Sequence, residues 1–566
     1  MGSRNGFTRR GLFGAGAAGA AALGASACGD DPFEPSTSYA KDAPNVVLIF
    51  TDSTRADYIG YYKQDSRNET PNLDALGRDS LSFRLAVPEA MPTGPARRAL
   101  LTGVRSFPFR NYVPTKGLPL GPGWIPIHDH QPIVTEVLGE AGVETAYCTD
   151  NPFLIGPRFS NFRRTLNWVR PSYSQGAYRF LNKPFKRPSP RSSIERYLLP
   201  ELSDSVEVGR LRAMVGWNSI YRDTDRDYPT ARVVRSGLNL VDDLKEERPF
   251  FLGVDTFDPH EPFDAPRVYV NRFGGPKGIE KDGVTPIQPF ETPYSWVIDV
   301  DVDDETIERV RELYAAEITF MDEWVGRLMN RLADENLLDE TVVIYSSDHG
   351  LTLGEHGILG KHAARAQWHI YHVPFMIRHP GGKLAGEWSD YFASTHDIPR
   401  TALSFMGARV PGMMTGEDLS LFFDGKEPPP RPHFTSCYDD HVLAGDREWF
   451  FISDSQGLRK RLYNRREDPQ EINDVAADHP DLVDFYWRVL EELENEKAER
   501  LLAQGALNIA RESRSKLQKQ YAALKRRGRF PGDDGQNGSF EDFAVEIEAE
   551  NNVRRFQPAG RVIEPQ

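Results

Sequence analysis

Apolar and polar positions alternate along this chain in blocks of two kinds. The first kind is short and continuously apolar: Asn45–Phe50 (N-V-V-L-I-F), Pro249–Val254 (P-F-F-L-G-V) and Thr341–Ser347 (T-V-V-I-Y-S-S). Runs of this length predict parallel strands buried on both faces. The second kind is longer, with apolar residues spaced for one helical face, over 132–142, from 230 towards the second strand, and over about 304–333. Thr70-Pro71-Asn72 and Asp397-Ile398-Pro399 each carry a helix start signal. Val143–Cys148 follows the 132–142 helix as a further strand. Strands alternating with helices predict an α/β fold, a doubly wound mixed sheet flanked by helices. Polar residues collect where two of the apolar runs end, Thr51-Asp52-Ser53 and Asp348-His349-Gly350. In open α/β sheets ligands bind outside the carboxyl ends of the strands.

The pattern also divides the chain. Residues 45–410 read as a catalytic domain. Within it, 157–232 is rich in Arg, Pro, Ser and Tyr with little periodicity, and reads as an insertion over the ligand face. A lid or substrate-selecting element and an inert surface excursion are both open readings. Residues 411–484 read as a smaller α+β subdomain and 485–566 as a charged helical tail with a Gly/Asp-rich break at 531–539. At the other end, Thr8-Arg9-Arg10-Gly11-Leu12-Phe13 precedes a weakly apolar Ala/Gly run to Ala27. Residues 1–27 resemble a twin-arginine export signal, too short and too weakly apolar for a transmembrane helix. Ala25-Ser26-Ala27-Cys28 loosely resembles a lipobox. A lipid anchor on Cys28 and plain cleavage near Ala27 are both open, with 28–44 a flexible tether. The expected location is the periplasm or the exterior, with or without an anchor.

The 566 residues are 39% hydrophobic and 27% charged, the balance of a soluble globular protein. A net charge of −15 and a pI near 5.5 argue against a nucleic-acid partner. They leave room for a small anionic substrate, because a local cation decides that. Three cysteines make no disulfide framework, and Cys148 and Cys437 read as separate buried thiols.

Thr93-Gly94-Pro95-Ala96-Arg97-Arg98-Ala99-Leu100-Leu101-Thr102-Gly103 carries the chemistry. It resembles the sulfatase signature C/S-x-P-x-R-x-x-L-x-T-G at every fixed position but the first. The resemblance extends over roughly 44–480, through Asp258-Pro259-His260-Glu261-Pro262-Phe263, Asp348-His349-Gly350, Leu359-Gly360-Lys361, and Arg461-Leu462-Tyr463-Asn464 with Asp468-Pro469-Gln470-Glu471. The G-P-A-R form with a downstream D-H-G is most similar to the phosphonate monoester hydrolase and phosphodiesterase branch. The resemblance implies an alkaline-phosphatase-like fold and hydrolysis of sulfate or phosphate esters. It implies one divalent cation on Asp52, Asp348 and His349, with Thr93 completing the shell. It implies that Arg97, one helical turn from Thr93, positions the nucleophile. Lys361 would touch the transferring oxygens, and His260 would protonate or hydrogen-bond the leaving group. Asn111, in N-Y-V-P, is set against a substrate-contacting asparagine of the hydrolase branch.

Three departures shape the reading. Sulfatases oxidise their signature Cys or Ser to an aldehyde, formylglycine. Oxidised threonine would be a ketone that hydrates poorly, so Thr93 is expected to stay an unmodified hydroxyl. A metal can still make it a nucleophile, a chemistry that suits phosphoryl better than sulfuryl transfer. Ser53 stands where many members have a second Asp, which disfavours calcium and makes manganese or zinc plausible, the choice among calcium, manganese and zinc staying open. The Lys and His of the family's G-K-W-H-L-G are absent from Cys148-Thr149-Asp150-Asn151-Pro152-Phe153. Arg98 reads as a helix-surface residue, and His362 is the best placed of the other histidines. Two alternatives remain beside hydrolysis: phosphoryl transfer to an alcohol, and a non-catalytic binding protein on the same scaffold.

Overall fold

The computed structural model describes residues 39–106, 124–155, 160–171, 224–274, 304–363 and 367–503, apart from 41, 65, 125, 128–130, 362 and 440. Arg9, Arg10, Cys28, Asn111, His362, most of the 157–232 segment and the tail beyond 503 lie outside the described residues.

The strands are β1 (Asn45–Thr51), β2 (Leu81–Val87), β3 (Ala90–Met91), β4 (Glu144–Thr149), β5 (Trp168–Pro171), β6 (Phe250–Asp255), β7 (Thr341–Ser347), β8 (Thr352–Leu353), β9 (Leu359–Gly360), β10 (Phe375–Arg378), β11 (Trp388–Ser394), β12 (Phe434–Tyr438), β13 (His441–Gly445), β14 (Trp449–Asp454) and β15 (Arg461–Asn464). Eight of them form the main sheet in the order β11-β2-β10-β7-β1-β6-β4-β5. Only β10 runs antiparallel to its neighbours, so the sheet is mixed, as the alternating blocks predict. β5 pairs in parallel with β4 at the sheet edge. The sheet therefore reaches into the 157–232 segment, and the sequence carries no apolar run there because an edge strand needs none.

β1 is the middle of the fold and all seven of its residues are buried. Its side chains alternate between two cores. Val47 and Ile49 join a cluster with Leu252, Val254, Val343 and Tyr345, covered by the helices Pro229–Leu244 and Asp304–Asp334. Val46, Leu48 and Phe50 join the opposite cluster with Phe251, Val342 and Ile344, covered by Val134–Glu140 and Asp397–Phe405. The period of two in a strand makes this division, and each fully buried aliphatic side chain contributes on the order of 1.5–3 kcal/mol.

The five-stranded second sheet, β15-β14-β13-β12-β3, is antiparallel except where β12 meets β3. β3 ends two residues before Thr93, so the strands β12–β15 are joined to the segment that leads into the helix Thr93–Thr102. The helix Pro480–Ala503 closes the outer face, with Val483, Tyr486 and Leu490 buried against Phe451 and Leu462.

One close approach ties this packing to the polar centre. A Cβ on Gly253 of β6 would stand 2.1 Å from Tyr147 Cδ2. The Tyr147 hydroxyl in turn donates to Asp255 at 3.2 Å. Gly253→Ala is expected to cost about 1–3 kcal/mol in a denaturant titration, the scale of overpacking a filled core. Tyr147→Phe in the same background should add little, because the clash has already displaced the ring.

Candidate functional site

The three central neighbours β7, β1 and β6 each end in an aspartate. Asp52 follows β1, Asp255 is the last residue of β6, and Asp348 follows β7. Parallel register sets these ends side by side, with Phe50 beside Asp255 and Thr51 beside Ser347. The Asp348 amide also donates to the Thr51 carbonyl at 3.1 Å. All three carboxylates are fully buried.

Arg97 fills the space between them. It lies one turn into the helix Thr93–Thr102, which ends at Gly103 in the left-handed region (φ 63°). Its Nη1 donates to Asp52 Oδ2 at 3.0 Å and to Asp348 Oδ2 at 2.5 Å. Its other edge grips Asp255, Nε to Oδ2 at 3.0 Å and Nη2 to Oδ1 at 2.7 Å. Burial alone would lower the Arg97 pKa, but Asp255, Asp348 and Asp52 together raise it well above the ordinary value. The opposite holds for the acids. Burial, and then the Asp348 charge, push Asp52 up against the pull of Arg97 and Lys361. Burial likewise outweighs Arg97 at Asp255. Three acids, Asp52, Asp255 and Asp348, thus share this centre with two cations, Arg97 and Lys361.

Asp52, Asp348 and His349 offer ligand atoms within 4.8 Å of one another. His349 Nδ1 faces the Gly350 carbonyl at 2.8 Å. A carbonyl only accepts, so Nδ1 carries the proton and Nε2 presents a lone pair. Nε2 is buried with no hydrogen-bond partner among the described residues, 3.5 Å from Asp348 Oδ2. Burial, then Lys361, lower the His349 pKa to about 3, so the ring is neutral near pH 7. A neutral imidazole and two buried carboxylates fit a divalent cation.

Ser53 turns the chain away from the strand at φ 64°. Its carbonyl accepts from the Tyr314 hydroxyl at 2.7 Å, and its amide donates to Asp348 Oδ1 at 2.8 Å. Its hydroxyl donates to Asp52 Oδ1 at 2.7 Å and accepts from Lys361 Nζ at 3.0 Å. Lys361 stands 3.9 Å from both Asp52 Oδ1 and Glu261 Oε2. His260 Nδ1 donates to the Glu261 carbonyl at 2.7 Å, and the ring stacks on Phe257 at 4.3 Å. Burial, then Lys361, hold the His260 pKa well below its ordinary value, leaving a neutral ring with its lone pair on Nε2. Asp150 accepts from the Phe257 amide at 2.7 Å and fixes this loop.

The structure thus gathers Asp52, Arg97, His260, Asp348, His349 and Lys361 into one buried centre. Thr93, 4% exposed, opens the helix that carries Arg97. Asn111 lies outside the described residues. Arg98 is a correction: it is buried, not on a helix surface, because all ten residues of its helix are enclosed. Burial brings its pKa down to about 10. His356, His369 and His372 serve elsewhere, the first and last bonding the Gln470 and Arg84 carbonyls. Sequence reasoning missed Asp255. Its signal was an acid closing the run F-F-L-G-V-D, the same pattern that marked Asp52.

Residues 44–408 match the sulfatase family profile. This chain belongs to the sulfatase family. That membership makes it a hydrolase acting on sulfuric or phosphoric esters. It is 26% identical over 488 residues to the multifunctional alkaline phosphatase superfamily protein PehA of Trinickia caryophylli, covering 77% of this chain and 91% of the relative. Two solved phosphonate monoester hydrolases share the fold. The Agrobacterium radiobacter structure has a TM-score of 0.58 at 22% identity, covering 82% of this chain and 96% of that one. The Silicibacter pomeroyi structure has a TM-score of 0.60 at 20% identity, covering 81% and 95%.

Asp348→Ala removes one carboxylate from the candidate metal site and one partner from Arg97. Elemental analysis of the purified variant is expected to show loss of the divalent metal. Circular dichroism should retain the α/β signature, and full metal occupancy would contradict the ligand assignment.

Proposed function

We propose that this sulfatase-family member hydrolyses phosphoryl esters, phosphodiesters or phosphonate monoesters, with the unmodified Thr93 hydroxyl as nucleophile. The observation that carries the reading is Thr93 itself, at the first position of a buried helix whose next turn bears Arg97. Free backbone N–H groups at that end favour an anion. The stretch that would hold a sulfate-gripping Lys and His instead serves local structure. Thr149 Oγ1 accepts from the Asn151 amide at 2.9 Å, Asn151 Oδ1 accepts from the Phe153 amide at 3.0 Å, and Asp150 holds Phe257. The family resemblance to PehA and to phosphonate monoester hydrolases points the same way.

In this mechanism Asp52, Asp348 and His349 would hold a divalent cation beside Thr93. When bound, it would supply Lewis acidity that lowers the hydroxyl pKa. Thr93 Oγ1 gives up its proton to solvent and attacks phosphorus, and the bond from phosphorus to the leaving oxygen breaks. Lys361 stabilises the charge that develops on the transferring oxygens. Arg97 has all its described hydrogen bonds on Asp52, Asp255 and Asp348, so it organises the carboxylates and the helix rather than the substrate. His260, neutral with its lone pair on Nε2, hydrogen-bonds on the leaving-group side. Water then hydrolyses the phosphothreonine ester. We further propose export through the twin-arginine segment, with Cys28 at or near the mature terminus. Replacing Arg9 and Arg10 with Lys should leave the precursor in the cytoplasm. Intact mass of the exported form reads lipidation directly.

Thr93→Ala is expected to lower phosphodiesterase turnover by at least about a hundredfold. Thr93→Cys, matured by a formylglycine-generating enzyme, should gain arylsulfatase activity. A wild-type enzyme that cleaves aryl sulfates briskly and ignores phosphodiesters would refute the preference, and undiminished turnover in Thr93→Ala would refute the nucleophile.

A further inference from the structure

The proposed chemistry leaves one step without a residue. A formylglycine hydrate releases its product by collapsing to the aldehyde. A threonine ester has no such exit, and its P–O bond must be broken by water. That water needs a group to take its proton. In a two-step displacement at one site, water enters from the side the leaving group vacated, here the side of His260. His260 is poorly suited to keep the proton, since burial and Lys361 disfavour its charged form.

Glu261 lies beside it. It is 3% exposed, and both carboxylate oxygens are buried with no hydrogen-bond partner among the described residues. Native carboxylates this deep are almost always satisfied, so such a pair of acceptors leaves room for a donor beyond the described side chains, such as a water. Its Oε2 is 3.9 Å from Lys361 Nζ and 3.6 Å from His260 Nδ1. Both gaps exceed a direct hydrogen bond, and the Lys361 gap is one a water molecule can bridge. The Tyr438 hydroxyl, whose pKa is raised by burial first and only last by the Glu261 charge, is also buried without a hydrogen-bond partner among the described residues. The position is thus a polar recess, with a cation and a carboxylate able to orient one water: Lys361 donates to its oxygen and Glu261 accepts its proton.

We propose that Glu261 is the general base of the second half-reaction. This rests on the reading of Thr93 as an unmodified nucleophile. Water oxygen attacks phosphorus of the Thr93 ester while its proton passes to the Glu261 carboxylate. The P–O bond to Thr93 breaks, and Thr93 Oγ1 takes a proton from solvent in place of the one it lost in the first step. Glu261 releases the one it took to solvent, so one water is consumed and no redox partner is needed.

The test is a rapid-quench assay of full-length Glu261→Gln with a chromogenic aryl phosphodiester, beside wild type, Glu261→Asp and Thr93→Ala. An aryl leaving group needs no proton, so the first step should survive. Glu261→Gln is expected to release close to one equivalent of phenol in a burst. Its steady-state rate should then fall by at least about a hundredfold, the usual scale for losing a general base. The peptide holding Thr93 should carry the phosphoryl adduct, and Glu261→Asp should recover part of the turnover. Metal content and circular dichroism matching wild type establish that the variants fold. Wild-type turnover in Glu261→Gln overturns the proposal. So does a parallel loss of burst and steady state without adduct in both Glu261 variants, while Thr93→Ala is inactive. Activity retained in Thr93→Ala, with no adduct in any variant, overturns the nucleophile reading instead and takes this inference with it.

Discussion

Everything at the centre of this protein is arranged around one guanidinium. Arg97 meets Asp52, Asp255 and Asp348 with no solvent between them, and these acids end three adjacent parallel strands. Three like charges brought this close in a dry interior repel one another, and each loses its hydration. Arg97 offsets both penalties because its planar donors reach in two directions at once. Removing the partner of such a buried charge typically costs about 3–5 kcal/mol, since the remaining ions stay buried. The strand ends, the helix Thr93–Thr102 and the candidate metal ligands are therefore one electrostatic unit. The excess of acid over base that persists there is what a divalent cation would neutralise.

Such a unit needs a rigid frame, and the frame is unusually complete around the helix. All ten residues of Thr93–Thr102 are buried. One side packs Leu100 and Leu101 into the main core. The approach to its N-terminus is held by β3, which pairs with β12 of the second sheet. The second sheet thus braces the entry to this helix. Arg98, on the same helix, shows the cost of enclosure, with Nε and Nη1 buried and unsatisfied among the described residues.

The two histidines of the site are handled alike. Each spends its Nδ1 proton on the carbonyl of a neighbouring residue, Gly350 for His349 and Glu261 for His260. Each ring is buried, and Lys361 adds to the pressure against a positive charge. The result is two neutral imidazoles with defined lone pairs, that of His349 beside the two carboxylates of the candidate metal site. Lys361 is itself positioned through the Ser53 hydroxyl, which stands where many family members have a carboxylate. The substitution trades a negative charge for a hydrogen bond, and Asp255 adds an acid on the far edge of Arg97.

Much of this was legible in one dimension. Buried parallel strands are written as continuous apolar runs, so β1, β6 and β7 were recognisable, as were Asp52 and Asp348 at their ends. The helix opening at Thr93 and the match of residues 93–103 to the signature named the family. Asp255 ends its strand in the same way, yet it belongs to no motif, and nothing local says which of many acids will face Arg97. Glu261 beside His260 was given no role in D-P-H-E-P-F for the same reason. Arg98 looked solvated because charge on a helix usually is, and only the tertiary packing around the whole helix encloses it. Local pattern determines which segments become strands and helices, because backbone periodicity and burial are properties of neighbours in sequence. Which charges meet was decided by strand order and register, which bring residues such as Arg97 and Asp255 together across more than a hundred and fifty positions.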